Sequence, residues 1–259
     1  MKCNYLVLGG LCLALAGCNT IQQYSFQPSS GQMVINRDGL QGIVSRKGRS
    51  VAVVSNARRG PAIGYRRVVV GIENLSNGPL NFNLSDVEIF ETKDGQPTRP
   101  MTVVTYERLV NEEKTRQVIG ALLLGAAAGA NAYAASQAGY GTAYGTVNTT
   151  SYGRYGSYNS TSNVAVSYYD PGVNYMAQAN AAAQNAAMIS EARANAEQNL
   201  AALENGVIKS HTLMPREWYG GQLFFEVPAA MGEQADLKTF LIRIRVGGDV
   251  HQFNVTASQ

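Results

Sequence analysis

Between Arg116 and Glu191 the chain carries only two charged side chains, Arg154 and Asp170, too few for an ordinary solvated surface segment. The flanks of this interval are helical in character. Residues 106–116 lack Gly and Pro and set Arg108/Glu112 and Glu112/Arg116 four apart, where side chains meet on one helix face. They run into the apolar stretch 118–130, which contains Gly125 and Gly129 in a small-xxx-small spacing. Residues 173–204 are dense in alanine, the best helix former, and Gly206 stands where a helix cap is wanted. The pattern predicts a hairpin of two helices of roughly 30 residues, about 45 Å long at 1.5 Å per residue. Its expected seam sets Gly125, Gly129, Ala132 and Ala135 against Ala179, Ala183, Ala187 and Ala194, because small residues let backbones approach. Residues 139–171, between the helices, are rich in Gly, Ser, Thr, Asn and Tyr, with Tyr152, Tyr155 and Tyr158 at a period of three. So little aliphatic surface does not offset the ordering entropy, and a mobile loop is expected there.

Three uses of the hairpin remain open at this point. It packs only on itself, it docks a partner or a second copy to give a homo-oligomer, or it contacts a membrane. The third draws on residues 118–135, about 18 uncharged positions, interrupted by Asn131.

Either side of the hairpin the period changes to that of strands. Residues 51–54, 67–73, 80–84 and 86–90 are rich in β-branched and aromatic residues, as are 223–228, 238–246 and 250–256. Phe240, Ile242, Ile244 and Val246 fall on one face, with Arg243 and Arg245 on the other. Turn residues divide the runs: Asn77-Gly78-Pro79, where positive φ is expected, then Asp94-Gly95 and Gly247-Gly248. Neither half, 33–105 or 207–259, has enough alternating strands to cover its own sheet, so the halves are expected to complete one domain with 106–206 as an insertion. The predicted fold is α+β: an antiparallel β-sandwich interrupted by a long Ala/Gly-rich helical hairpin.

Residues 68–80, with their Asn-containing turn, together with 213–215 and 221–228, ending in Val227-Pro228, resemble the telokin-like, immunoglobulin-fold domains of bacterial lipoproteins. The resemblance implies an immunoglobulin-like sandwich and assigns no activity; here about a hundred residues separate the matching halves.

The N-terminus carries Lys2 and then an apolar run of roughly a dozen residues, the length of a signal-peptide core and too short to span a bilayer as a helix. It ends in Leu15-Ala16-Gly17-Cys18, which matches the lipobox of bacterial lipoproteins. That match implies removal of residues 1–17, lipidation of Cys18 with palmitate among its acyl chains, and a tether over 18–32. The absence of aspartate at position 19 implies residence in the outer membrane, facing the periplasm. All three cysteines lie at or before position 18, leaving the mature chain no thiol for a disulfide, a metal or nucleophilic catalysis.

The formal charge is +3, and the basic residues are not massed in a way that suggests nucleic acid. His211 and His251 are the only histidines, and neither has a metal-ligand spacing. A soft site of His211 with Met214 is the nearest approach to one. Trp218, Tyr219, Phe224 and Phe225 have the composition of core and rim, or equally of a stacking site for a ligand. No cofactor and no catalytic constellation is expected. The chain reads as a non-catalytic structural or protein-interaction module with an envelope partner, the alternatives being membrane contact or oligomerisation through the hairpin, and a ligand- or metal-binding periplasmic domain or enzyme.

Overall fold

The computed structural model describes residues 24–37, 39–57, 65–226 and 239–257. Leu15, Ala16, Gly17 and Cys18 lie outside the described residues, as do Val227 and Pro228. The chain divides into two compact units. One comprises the residues up to Asn111 and those from Asn199 onward; the other is Glu112–Gln198.

The first unit is mostly antiparallel sheet. Its strands are β1 (Tyr24–Gln27), β2 (Gln32–Arg37), β3 (Leu40–Arg46), β4 (Ser50–Ser55), β5 (Arg66–Asn74), β6 (Leu80–Phe82), β7 (Val87–Lys93) and β8 (Gln96–Val104) before the helices. Helices α1 (Tyr106–Ser136) and α2 (Pro171–Gly206) flank the strands β9 (Tyr140–Gly153) and β10 (Gly156–Tyr169). The chain then completes the first unit with β11 (His211–Leu213), β12 (Trp218–Glu226), β13 (Thr239–Val246) and β14 (Asp249–Ala257).

One hydrogen-bonded order, β1-β14-β13-β7-β8-β12-β5-β4-β3-β2, links ten strands, while β6 and β11 pair separately. The strands from the two sides of the insertion interleave: β12 lies between β8 and β5, and β13 pairs β7. The sheet curls until its ends meet through side chains, nearly as a barrel. Asn56, buried near the end of β4, takes both backbone groups of Tyr24, accepting from its N–H and donating to its carbonyl at 2.8 Å each. Gln32 on β2 donates to the carbonyl of Gln252 on β14 at 2.6 Å.

Alternation fills the interior with Ile43, Val68, Val70, Ile72, Phe225, Phe240, Ile242, Ile244 and Phe253, all buried. Phe224 points the other way from Phe225 and joins Val104, Leu109, Leu203 and Val207, where the first turns of α1 and the last of α2 pack. The turns follow their chemistry in part. Asp94 and Gly95 have φ of 53° and 77°, as the two-residue link between β7 and β8 requires, and Gly247 and Gly248 do the same for β13 and β14. Asn77 and Gly78 do not adopt the expected positive φ. The buried Asn74 side chain shapes that turn instead, accepting from the Ser76 N–H at 2.8 Å and donating to the carbonyls of Gly78 and Leu213.

Two expectations are corrected. The tether of residues 18–32 is already sheet at Tyr24–Gln27, where Tyr24 and Phe26 are buried and pair along β14. Two alternating apolar residues are too short a pattern to read, and their partner strand lies more than two hundred positions away. The mobile loop of 139–171 is a regular two-stranded ribbon, paired from Tyr140↔Tyr169 to Gly153↔Gly156. Thr, Tyr and Val favour strand, and that preference, together with the cross-strand register, outweighed the low complexity.

Candidate functional site

The second unit is built with its polarity reversed. Where α1 and α2 meet, carboxamide hydrogen bonds stand among small and apolar residues. Asn131 donates to Asn185 Oδ1 at 3.0 Å, and Asn185 Nδ2 donates to the Ala128 carbonyl at 3.1 Å. Gln117 donates to the Ala196 carbonyl at 3.3 Å. Buried Asn174 donates to the carbonyls of Ala135, Ser136 and Ala138 at and just beyond the end of α1. At the other end of α1 the buried Glu113 accepts from Arg116 at 2.8 Å and from Gln117 at 3.2 Å. Asp170 caps α2, accepting from the N–H groups of Gly172 and Val173, with Pro171 as the first helical residue.

The apolar side chains face outward. Leu122 is 70% and Leu123 68% exposed, and Val118, Ile119, Tyr133, Val173, Tyr175, Met176 and Ile189 are exposed as well. Gly125 and Gly129 belong to this outer surface rather than to the seam expected for them, since a Cβ built on either meets no atom within 4 Å. The seam uses Leu124, Ala128, Asn131 and Ala135 on α1 instead. Of the expected α1 pairing set only Ala135 is buried; Ala179, Ala183, Ala187 and Ala194 on α2 are exposed, displaced by Asn174, Ala177, Ala181 and Asn185. Asn174 and Asn185 set this register because their carboxamides reach carbonyls of α1 and Asn131, which alanine cannot do. The ribbon beyond the helices is exposed but for the half-buried Gly141 and Ser160. It is tied by its ladder and by side-chain bonds such as Thr161 Oγ1 to Asn148 Oδ1 at 2.8 Å.

In the first unit the two histidines have separate roles. His251 is fully buried, with Ser50 Oγ 2.9 Å from Nε2 and Ser45 Oγ 3.0 Å from Nδ1. Ser50 spends its own proton on Asp249 Oδ2 at 2.8 Å, so Nε2–H donates to Ser50 and Nδ1 accepts from Ser45. This is the opposite of nucleophile activation, where the serine proton goes to the ring. The network fastens β14 to β3 and β4, closing the curled sheet. Burial pulls the ring's pKa down to about 4; Asp249 opposes the shift and Lys47 adds to it.

His211 is exposed, stacked on Tyr219 with ring centroids 4.3 Å apart, and 3.2 Å from Glu217. Glu217 also accepts from the Met214 N–H at 2.6 Å, and that bond first, then His211, holds its carboxyl below the usual range. Met214 thus meets this cluster through its backbone. Among the described residues no group of three or more His, Cys, Asp and Glu gathers as a metal site would.

The outer face of β2–β5 and the start of β12 form an open concavity of about 740 Å³, lined by Met33, Ile35, Val44, Val53, Val69 and Trp218. Gly71 lies beneath the indole, where a Cβ would stand 3.9 Å from the ring. Phe224 and Phe225 are core; Trp218 is exposed. Period-2 alternation hid this face, since β4 and the middle of β5 place valine on both sides.

No protein-family model, curated protein or solved structure matches the chain.

Proposed function

We infer that the chain is a lipid-anchored envelope protein, held in the outer membrane through Cys18 and facing the periplasm, whose activity is contact rather than catalysis. The observation that carries this reading is the outer face of α1: Asn131 and Gln117 bond inward to α2, and Val118, Ile119, Leu122 and Leu123 are presented outward. A helix pair whose only task was to fold in water gains by the reverse arrangement. Kinship of the first unit with the immunoglobulin-fold domains of lipoproteins belongs to the same proposal. Its support is the Asn74 turn after β5 and the antiparallel strands curled about one core. Two experiments test the reading. Palmitate-analogue labelling is expected in the wild type and absent in Cys18→Ala, and label retained in the variant removes the anchor. A photo-crosslinking residue at Leu123 is expected to give intermolecular adducts in intact cells while one at Asn185 gives only intrachain products; no adducts at Leu123 removes the contact role.

The concavity beneath Trp218 supports a second use, binding of an apolar ligand, because its volume and apolar lining suit one. Trp218 is the only tryptophan. A saturable blue shift of its emission with apolar probes supports this use, and an unmoved spectrum removes it.

A further inference from the structure

The geometry points to a lipid bilayer as the partner of the hairpin: α1 and α2 cross it as a pair and carry the ribbon β9–β10 to the opposite side. This rests on the contact reading above and names what is contacted.

Four features carry it. The first is that charge is missing from every face of the pair, not from one stripe. A second copy packed in water covers one side of each helix and leaves the rest wet, where Lys and Glu belong; a helix apolar all round is buried or in a membrane. Among the described residues α1 is the one helix long and apolar enough to cross a bilayer, with only 6% of its most apolar stretch buried, whereas α2 is uncharged from Val173 to Ser190 but carries Gln178, Asn180 and Gln184 on its exposed side.

The second is length. The contacts of Gln117 with Ala196, Asn131 with Asn185 and Asn174 with Ala135 fix the antiparallel register. From the level of Ala121 and Ala192 to that of Ala138 and Tyr175 is about 18 residues, or about 27 Å. A bilayer core is about 30 Å, and that of the bacterial outer membrane is thinner than average.

The third is what brackets that length. Glu112, Glu113, Lys114 and Arg116 on α1 lie at one end with Arg193 and Glu197 on α2, and Glu191 stands just inside the boundary, within reach of the surface by extending its side chain. Tyr140, Tyr169 and Tyr175 gather at the other end, the first two with rings 4.8 Å apart, as amphipathic rings do at a membrane interface.

The fourth is that the polar side chains facing the partner helix are satisfied, while Asn180, Gln184 and Ser190 stay exposed on the outer side of α2. Asn131, Asn185 and Asn174 bond across the pair and to backbone carbonyls, which is how polar residues serve as interhelical contacts in lipid. The ribbon does not meet this condition. It has two strands only, so its outer edges are unpaired, and it is rich in Ser, Thr and Asn. Open edges do not occur in hydrocarbon, which places the ribbon, with Arg154 at its tip, in water beyond the far interface.

The test uses the mature chain from residue 18 with Cys18→Ser, so that no lipid anchor contributes, and single cysteines introduced as Lys114→Cys, Leu123→Cys or Tyr155→Cys. Each is added to preformed vesicles of phosphatidylethanolamine and phosphatidylglycerol. A fluorophore at 123 is expected to shift to the blue and be quenched by lipids spin-labelled deep in the acyl chain. The thiol at 114 reacts at once with a membrane-impermeant maleimide, whereas that at 155 reacts only after detergent is added. Leu122→Glu with Leu123→Glu lowers the vesicle-bound fraction at least about tenfold, with the melting of the β-unit unchanged. Three results overturn the crossing. If 123 becomes protected without lipid as concentration rises, with a matching rise in mass, a second copy covers the face and the contact reading survives. If 123 enters lipid but 155 reacts from outside, the pair lies on the surface. If 123 stays wet throughout, the crossing and the contact reading both fall.

Discussion

Asn131 donates to Asn185 at 3.0 Å across the two helices, and Asn185 passes the bond on to the Ala128 carbonyl at 3.1 Å. This chain fixes which residues form the inside of the hairpin and therefore which are left outside. Asn185→Ala leaves Asn131 without that partner and is expected to cost the hairpin about 1–2 kcal/mol. Asn180→Ala, on the exposed side of α2, is expected to leave it within about 0.5 kcal/mol. Thermal melting followed at the helical band of the circular dichroism separates the two; equal losses contradict the seam.

Gly125 and Gly129 make the opposite kind of prediction. Because nothing lies within 4 Å of either position on the side where a Cβ would stand, Gly→Ala at each is expected to stabilise α1 by about 0.5–1 kcal/mol through lower backbone entropy in the unfolded chain. Had they packed against α2, alanine would have pushed the helices apart. A melting temperature that falls in both variants contradicts their outward placement.

The buried His251 gives the first unit a pH dependence of definite sign. Its pKa is near 6.5 when unfolded and about 4 when folded, so the unfolded chain binds the extra proton between these values. The stability contributed by neutral His251 is complete above about pH 6.5 and is lost as pH falls toward 4, by about 1–2 kcal/mol at pH 5. Urea midpoints at pH 7 and pH 5 check this. His251→Gln is expected to lower the plateau, by loosening the closure of β14 on β3 and β4, and to remove much of the slope. A slope unchanged in His251→Gln assigns the titration to another group.

Replacing residues 112–198 with a short Gly/Ser linker keeps the turns that bring Leu109 and Leu203 onto Phe224. The shortened chain is expected to remain a cooperatively melting β-protein with most of its helical signal gone. Leu203→Ala in either chain is expected to cost about 2–5 kcal/mol, as removal of a buried leucine does. An unfolded product of the linker replacement contradicts the independence of the two units.

What the sequence made legible follows from how local each cause is. Helix over 106–116 and 173–204 comes from breaker-free runs and alanine content, read within a few residues, whereas the Asp170-Pro171 start lay in the stretch expected to be a loop. The strand with Phe240, Ile242, Ile244 and Val246 inward is equally local. The Asn131–Asn185 seam was not legible, because alanine patterning favours small-residue packing while the observed register is set by carboxamides more than fifty positions apart. The ribbon at 140–169 was hidden by its composition, since register and not burial holds it. Tyr24 and Phe26 were hidden because their strand exists only beside β14. The concavity at Trp218 escaped because valines on both sides of β4 and in the middle of β5 leave a short apolar run that does not say which face is covered.

The most direct test of the account is the reactivity of one thiol. With Cys18 lipidated, Leu123→Cys carries the only free thiol of the mature chain. In the purified chain this outward position is expected to react fully with a hydrophilic maleimide. In isolated outer membranes it is expected to be protected, while Lys114→Cys reacts in both settings. Equal reactivity of Leu123→Cys in the purified chain and in the membrane would contradict the claim that the outward apolar face of the hairpin is the surface through which this protein acts.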